Sequence, residues 1–183
     1  MADDNIQICE ADVGDVDILA SIGFSSFRDA YQPYSDPADI EAHLSQYFTA
    51  DVVRDEFERG QSRFLIAQVN DEAGGMVKFH NAACPEPGVG SNAIELQQLY
   101  VLAEMQRHGL GGRLVEKLIA IARKSEVTGI WLSAWEDADW AINFYRKAGF
   151  SAVGTAIFTV GAASYTDLLM WLPLGEARKT RSH

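Results

Sequence analysis

The chain has 183 residues, 48% of them hydrophobic and 22% charged, which suits one soluble domain with its own core. Its formal net charge of -11 argues against nucleic acid as a partner; it fits a cationic small molecule, or simply a surface charged for solubility. No apolar run reaches the ~18 residues of a membrane span, the acidic start Met1-Ala2-Asp3-Asp4-Asn5 has no signal-peptide core, and Cys9 and Cys84 make neither a disulfide framework nor a metal cluster, so a cytoplasmic location is expected.

Residues 6–9 predict a first strand. Asp12 caps a helix to about residue 27, with Val16, Leu19, Ala20, Gly23 and Phe24 on one face. Residues 28–34 break at Pro33. Residues 38–48 predict a second helix, and Thr49 caps a third that stops at Gly60. Residues 63–69 and 76–79 predict a hairpin around the turn chemistry of residues 70–75. A Pro/Gly loop at 84–90 leads to a central strand at 93–102. A helix follows from residue 107 to about 124, with Leu110, Leu114, Leu118, Ile121 and Ala122 inward. A strand at 129–135, a helix at 137–148 stopped by Gly149, and paired strands at 150–160 and 165–172 complete the domain. Residues 175–183 read as a basic, disordered tail. The order predicts a mixed α/β sheet in three layers, not a doubly wound one.

The segment after the central strand carries chemistry. Gln106, Gly109, Gly111 and Gly112 lead straight into a strongly periodic helix. Amides at a helix N-terminus are unpaired and carry partial positive charge, and glycines let an anion approach them. No Lys-Ser or Lys-Thr follows, so this is not a P-loop. Leu114 stands at the third glycine position of a dinucleotide fingerprint, and the loop lies past the middle of the chain. The pattern left is Q-x-x-G-x-G. It reads as a diphosphate cradle or, equally, as a glycine-rich cap between strand and helix.

A second landmark is Ala141-Ile142-Asn143-Phe144-Tyr145-Arg146-Lys147-Ala148-Gly149-Phe150, of form A-x-x-F-Y-x-x-x-G-F. The two landmarks and the element order resemble the GNAT superfamily of N-acetyltransferases, over residues 6–172. The resemblance implies an acyl-CoA N-acyltransferase fold at residues 1–174: one three-layer α+β domain, its seven-stranded sheet mixed but mostly antiparallel, with helices on both faces. It implies an acetyl-CoA-dependent enzyme that acetylates a primary amine by direct attack in a ternary complex. No metal, nucleic acid or membrane is called for, and a homodimer is left open. Segments 24–31, 92–96, 130–136, 158–161 and 166–170 are similar to a bacterial spermine/spermidine acetyltransferase subgroup, which implies a polyamine-like acceptor. Alternatives within reach are a protein or peptide N-terminal acetyltransferase and a non-catalytic CoA sensor.

By position in the family pattern, Glu95 is the expected base and Tyr145 the expected acid toward the departing sulfur. The plainer readings are a solvated strand-end glutamate and a core aromatic. Strict alternation would put Glu95, Gln97, Leu99 and Val101 on one face. Leu99, Tyr100 and Val101 are expected to offer backbone groups to pantetheine, and Arg107, His108, Gly109, Leu110, Gly111 and Gly112 amides to the diphosphate, with side-chain charge from Arg107 or Arg113. Two positions depart from the pattern: Gln97, where the polyamine subgroup tends to carry a second acid, and Ala138, where many relatives carry a cofactor-touching Asn. Phe27, Tyr31 and Tyr34 are candidates to wall the acceptor cleft, or are packing. His43 and His80 read as ordinary histidines.

Overall fold

In the computed structural model the chain is described over residues 4–161 and 163–175. The basic tail expected from residue 175 lies outside these residues, apart from Gly175 itself. Seven strands make one sheet: β1 (Ile6–Glu10), β2 (Arg63–Val69), β3 (Glu72–Asn81), β4 (Ala93–Val101), β5 (Gly129–Trp135), β6 (Ser151–Val160) and β7 (Ala163–Pro173). Their order is β1-β2-β3-β4-β5-β7-β6, and only β4 and β5 run parallel. Among the described residues five α-helices cover the sheet: α1 (Val16–Tyr31), α2 (Pro37–Tyr47), α3 (Ala50–Glu58), α4 (Leu110–Lys124) and α5 (Asp139–Lys147).

Local chemistry sets the helix starts. Asp12 and Asp15 exchange side-chain-to-amide bonds in a capping box ahead of α1. Asp36 accepts the Ala38 amide at 2.8 Å with Pro37 in the first turn, and Thr49 Oγ1 accepts the Val52 amide at 3.3 Å. The α1 helix continues past Phe27 to Tyr31 because its first breaker, Pro33, comes two residues later. Asn70 and Asp71, at φ 51 and 68, make the β2–β3 turn alone, so β3 starts at Glu72 and Gly74-Gly75 belong to the strand. Gly74 is needed there: a Cβ would lie 2.5 Å from Met105, whose segment folds back over it.

Alternation divides the core. Leu65, Val77, Phe79, Ile94, Leu96, Leu132 and Met170 pack with Leu110, Leu114 and Leu118 of α4 and Ile142 of α5. On the other face Phe64 and Met76 meet Val16, Leu19 and Ile22 of α1, and Val160 meets Phe27, Ile40 and Leu44. Phe27, at 2% exposure, is therefore core rather than cleft wall. Among the described residues no helix is long and apolar enough to cross a membrane.

The site is positioned by one irregularity and one divergence. The β3–β4 register steps from Lys78↔Gln98 to Phe79↔Leu96, so Gln97 is an extra residue in β4. This overturns strict alternation: Leu99 and Val101 pack on the α4–α5 face, whereas Glu95 pairs with His80 on the opposite face. The divergence follows at once. β4 and β5 pair only at Ala93↔Gly129, Ile94↔Ile130 and Glu95↔Trp131, while β5 pairs with β7 along its whole length. Beyond Glu95 the β5-facing edge of β4 is open.

Candidate active site

Glu95 stands where the sheet opens. His80 Nε2 lies 3.0 Å from Glu95 Oε2, and the two side chains are 25% and 19% exposed. Partial burial raises the Glu95 carboxyl above the usual range, while His80 and Lys78 pull it part of the way back. Lys78 is itself held by Glu56 at 2.5 Å. An open cavity of about 400 Å³ lies beside them, lined by Glu56, Gln61, Ser62, Lys78, His80 and Gln97. The group can therefore change protonation next to water, in a partly dry setting.

The sequence gives His80 the look of an ordinary histidine; in the fold it is the partner of Glu95. Its other ring nitrogen, Nδ1, is buried without a hydrogen-bond partner. The signal that finds it is cross-strand register, which places His80 opposite Glu95. A register interrupted by a bulge is not visible in composition.

The segment after β4 is tighter than the sequence suggests. Residues Ala103–His108 form a 3-10 turn, Gly109 turns left-handed at φ 72, and α4 starts at Leu110 rather than at residue 107. A left-handed residue is what a glycine supplies cheaply, and its function here is to end one turn and aim the next. Gln106 Nε2 reaches back to the Val101 carbonyl at 3.5 Å, and the Leu102 amide bonds Gly74 at 2.9 Å. The start of α4 is thereby fixed against β4 and β3. No side chain caps α4, and its first turn holds no acid. The amides of Leu110, Gly111 and Gly112 have no partner within the helix. A Cβ added at Gly109 or Gly112 would meet nothing within 4 Å, so the space in front of these amides is open. Leu110 is fully buried and anchors the turn. Arg107 and Arg113 are exposed nearby, and His108 Nε2 lies 3.4 Å from Asp4.

Leu99, Tyr100 and Val101 occupy the part of β4 that pairs with β3 but not with β5. The Tyr100 ring turns to the α1 side, 6.0 Å from that of Phe48. Burial pushes its phenol far up, with Tyr31 and Tyr145 close enough to add to the effect. Tyr145, on α5, packs edge-on to Phe144 at 5.2 Å and Phe150 at 5.8 Å. It packs against the α4–α5 core as an aromatic at that position would. Burial raises the Tyr145 phenol as well, and among the described residues nothing hydrogen-bonds its hydroxyl.

Ala138 is the N-cap of α5, buried and without a side-chain cap; Asn143 is exposed and does not take its place. Tyr31 and Tyr34, expected at the cleft, meet residues the sequence did not single out. The Tyr34 ring lies 4.8 Å from that of Trp135, Trp135 lies 5.6 Å from Tyr165, and Tyr165 lies 6.0 Å from Tyr31. Cys84 is buried in a cluster with Ala93, Trp131 and Leu169.

A model of the acetyltransferase (GNAT) family matches residues 24–150. The chain therefore belongs to the acetyltransferase (GNAT) family and is an acetyl-CoA-dependent acyltransferase. It is 26% identical over 165 residues to an uncharacterized N-acetyltransferase from the pepI 3' region of Lactobacillus delbrueckii subsp. lactis, covering 90% of this chain and 94% of that one. The fold is similar to the PaiA N-acetyltransferase of Thermoplasma acidophilum in complex with coenzyme A, at TM-score 0.72 and 18% identity over 92% of this chain and 99% of that one. It is also similar to YncA, a putative acetyltransferase of Salmonella typhimurium with acetyl-CoA, at TM-score 0.65 and 18% identity over 97% and 99% of the two chains. These likenesses bear out the sheet and the three layers expected from the sequence.

Proposed function

We propose that the protein transfers the acetyl group of acetyl-CoA to a primary amine on a small cationic molecule, such as a polyamine, within one ternary complex. The observation that carries this reading is the opening of the sheet at Glu95, with the uncapped start of α4 at the far end of the same strand. The open edge of Leu99, Tyr100 and Val101 takes the pantetheine amides as an added strand. The amides of Leu110, Gly111 and Gly112, continued by those of Arg107, His108 and Gly109, take the diphosphate. Two proteins of similar fold hold coenzyme A or acetyl-CoA, which supports a site for it in this chain.

An alkylammonium keeps its proton up to a pKa of ~10.4 and must lose it to attack. Glu95 accepts that proton, directly or through water from the adjoining cavity. Burial raises its basicity, and His80 and Lys78 lower it again in part. The amine nitrogen bonds the acetyl carbon, the carbon–sulfur bond breaks, Tyr145 gives its phenolic proton to the sulfur, and the second proton leaving the nitrogen restores the phenol. Burial keeps that phenol protonated through the working range. Cys84, buried under Trp131, takes no part. A net charge of -11 favours approach of a cation, and two free thiols suit the cytoplasm.

A screen of primary amines for thiol release from acetyl-CoA tests the reading. Turnover is expected with small cationic amines. Turnover only with peptide N-termini would overturn the small-amine acceptor, and CoA binding with no turnover at all would leave a sensor.

A further inference from the structure

Asp167, on β7, is the one carboxylate among the described residues that is buried in the sheet with an oxygen left unmatched. It is 6% exposed, and its Oδ1 has no hydrogen-bond partner. Ser133, facing it from β5, supplies the side-chain hydrogen bond it does receive. No Lys, Arg or His among the described residues pairs with it. Buried polar atoms are nearly always satisfied, so an orphaned acceptor needs a reason.

Its surroundings supply one. Asp167 pairs across the sheet with Trp135, and the aromatic rings of Tyr31, Tyr34, Trp135 and Tyr165 follow one another at 4.8–6.0 Å on that side. The Tyr165 hydroxyl is spent on Ser35 and on the Tyr34 carbonyl, which ties the α1–α2 connection over the cluster. Tyr34 is 60% exposed and forms the outer wall. Aromatic faces around a lone carboxylate are the recognition chemistry of an alkylammonium. Tyr31, Tyr165 and Tyr100 of β4 pack against the same apolar cluster of Phe27, Ile40, Leu44, Phe48 and Val160. Ser133, although central in the sheet, is exposed, so solvent reaches this face of β5 between the buried Trp131 and the half-buried Trp135.

We propose that Asp167, walled by Tyr31, Tyr34, Trp135 and Tyr165, holds a second positive charge of the acceptor, distinct from the nitrogen that is acetylated. The inference rests on the amine-acceptor reading above and narrows it to amines with two cationic ends. One nitrogen cannot serve both carboxylates. Glu95 is opposite Trp131 and Asp167 is opposite Trp135; four residues along a strand are about 13 Å. The acceptor is therefore an extended chain. Phe27, which the sequence offered for this wall, lies in the core instead.

The test measures kcat/KM for a graded series of α,ω-diaminoalkanes and for n-alkylamines of matched length, with CoA affinity by calorimetry as the control for folding. The wild-type protein should favour the best diamine over its matched monoamine by about tenfold or more, the worth of one charge-assisted contact. Asp167→Asn should bring that ratio to about one while CoA affinity stays within about twofold. Trp135→Leu, which thins the wall and leaves the carboxylate, should lower the ratio too and stands in if the Asn variant fails to fold. A ratio unchanged in both variants, or no diamine preference in the wild type, overturns the proposal. Wild-type protein that acetylates neither series overturns the amine reading, and the second-charge site with it.

Discussion

His80 and Glu95 face each other across the β3–β4 ladder, with Nε2 3.0 Å from Oε2, one pairing before Gln97 bulges out of the strand. Burial raises the Glu95 carboxyl, and His80 is the first of the groups that lower it again. Replacing His80 by Asn removes that counterweight and leaves burial opposed by Lys78 alone. The acidic limb of the kcat/KM profile should then move to higher pH, because the base must be ionised to act. The plateau should fall less than about tenfold, since the carboxylate itself remains. A limb that stays in place or moves to lower pH would contradict the pairing's role.

Gly112 offers a cleaner probe of the cradle than any truncation. A side chain there meets nothing within 4 Å, so Gly112→Glu should fold normally. A carboxylate in the first turn of α4 even favours the helix by ~0.3–1 kcal/mol. The same charge opposes a diphosphate on the amides of Leu110 to Gly112. The variant should match or exceed the wild-type Tm and bind CoA roughly tenfold or more weakly by calorimetry, a loss of ~1.4 kcal/mol. Unchanged affinity would place the diphosphate elsewhere.

Tyr145 separates packing from proton transfer. Its ring contacts with Phe144 and Phe150 survive in Tyr145→Phe, and its hydroxyl has no hydrogen-bond partner to strand among the described residues. Stability should be within ~0.5 kcal/mol of wild type, with kcat lower by roughly 10²-fold. Burial keeps the phenol protonated, so the variant should lower the whole pH profile without removing a basic limb. Equal kcat in the two proteins would return Tyr145 to the core.

Asp167 is held above the usual aspartate range, first by burial, with the Ser133 hydrogen bond opposing. A carboxyl whose folded pKa is raised contributes stability at low pH and loses it as pH rises through that pKa. The ligand-free wild type should therefore gain by losing the charge. Asp167→Asn should melt about 2–4 °C higher at pH 8, what ~1 kcal/mol is worth in a chain of this size. The difference should shrink as pH falls toward the ordinary aspartate value of ~3.9. A difference independent of pH would show that the charge is not its cause.

Most elements were legible because periodicity and punctuation agree in this chain. The strand at 63–69 and the strand at 129–135 have the bounds the sequence gives them, and Thr49 caps α3 as its position suggests. Gly109 and Gly149, both at positive φ, fall at helix boundaries where a glycine carries information. The candidate site was legible in part. Glu95 and the glycine turn sit in local patterns, but their neighbours do not. His80 lies 15 residues from Glu95 in sequence and Asp167 lies 72 away; strand register alone sets His80 opposite Glu95 and Asp167 opposite Trp135. Strict alternation misplaces the faces along β4 because one extra residue reverses it, and nothing in Gln97-Gln98 announces which of them is extra. Gly74 and Gly75 looked like turn and proved to be strand, since their small size serves the approach of Met105 and Leu114 rather than a reversal of the chain.

The central claim is that Glu95 is the base of an acyl transfer in the gap between β4 and β5. Glu95→Gln keeps the shape of the side chain and removes its proton affinity. Thiol release from acetyl-CoA with a small diamine, measured beside CoA affinity in the same samples, reads both halves of the claim. The account predicts turnover reduced by roughly 10²-fold or more, with CoA affinity within about twofold of wild type. Wild-type turnover in that variant would contradict it.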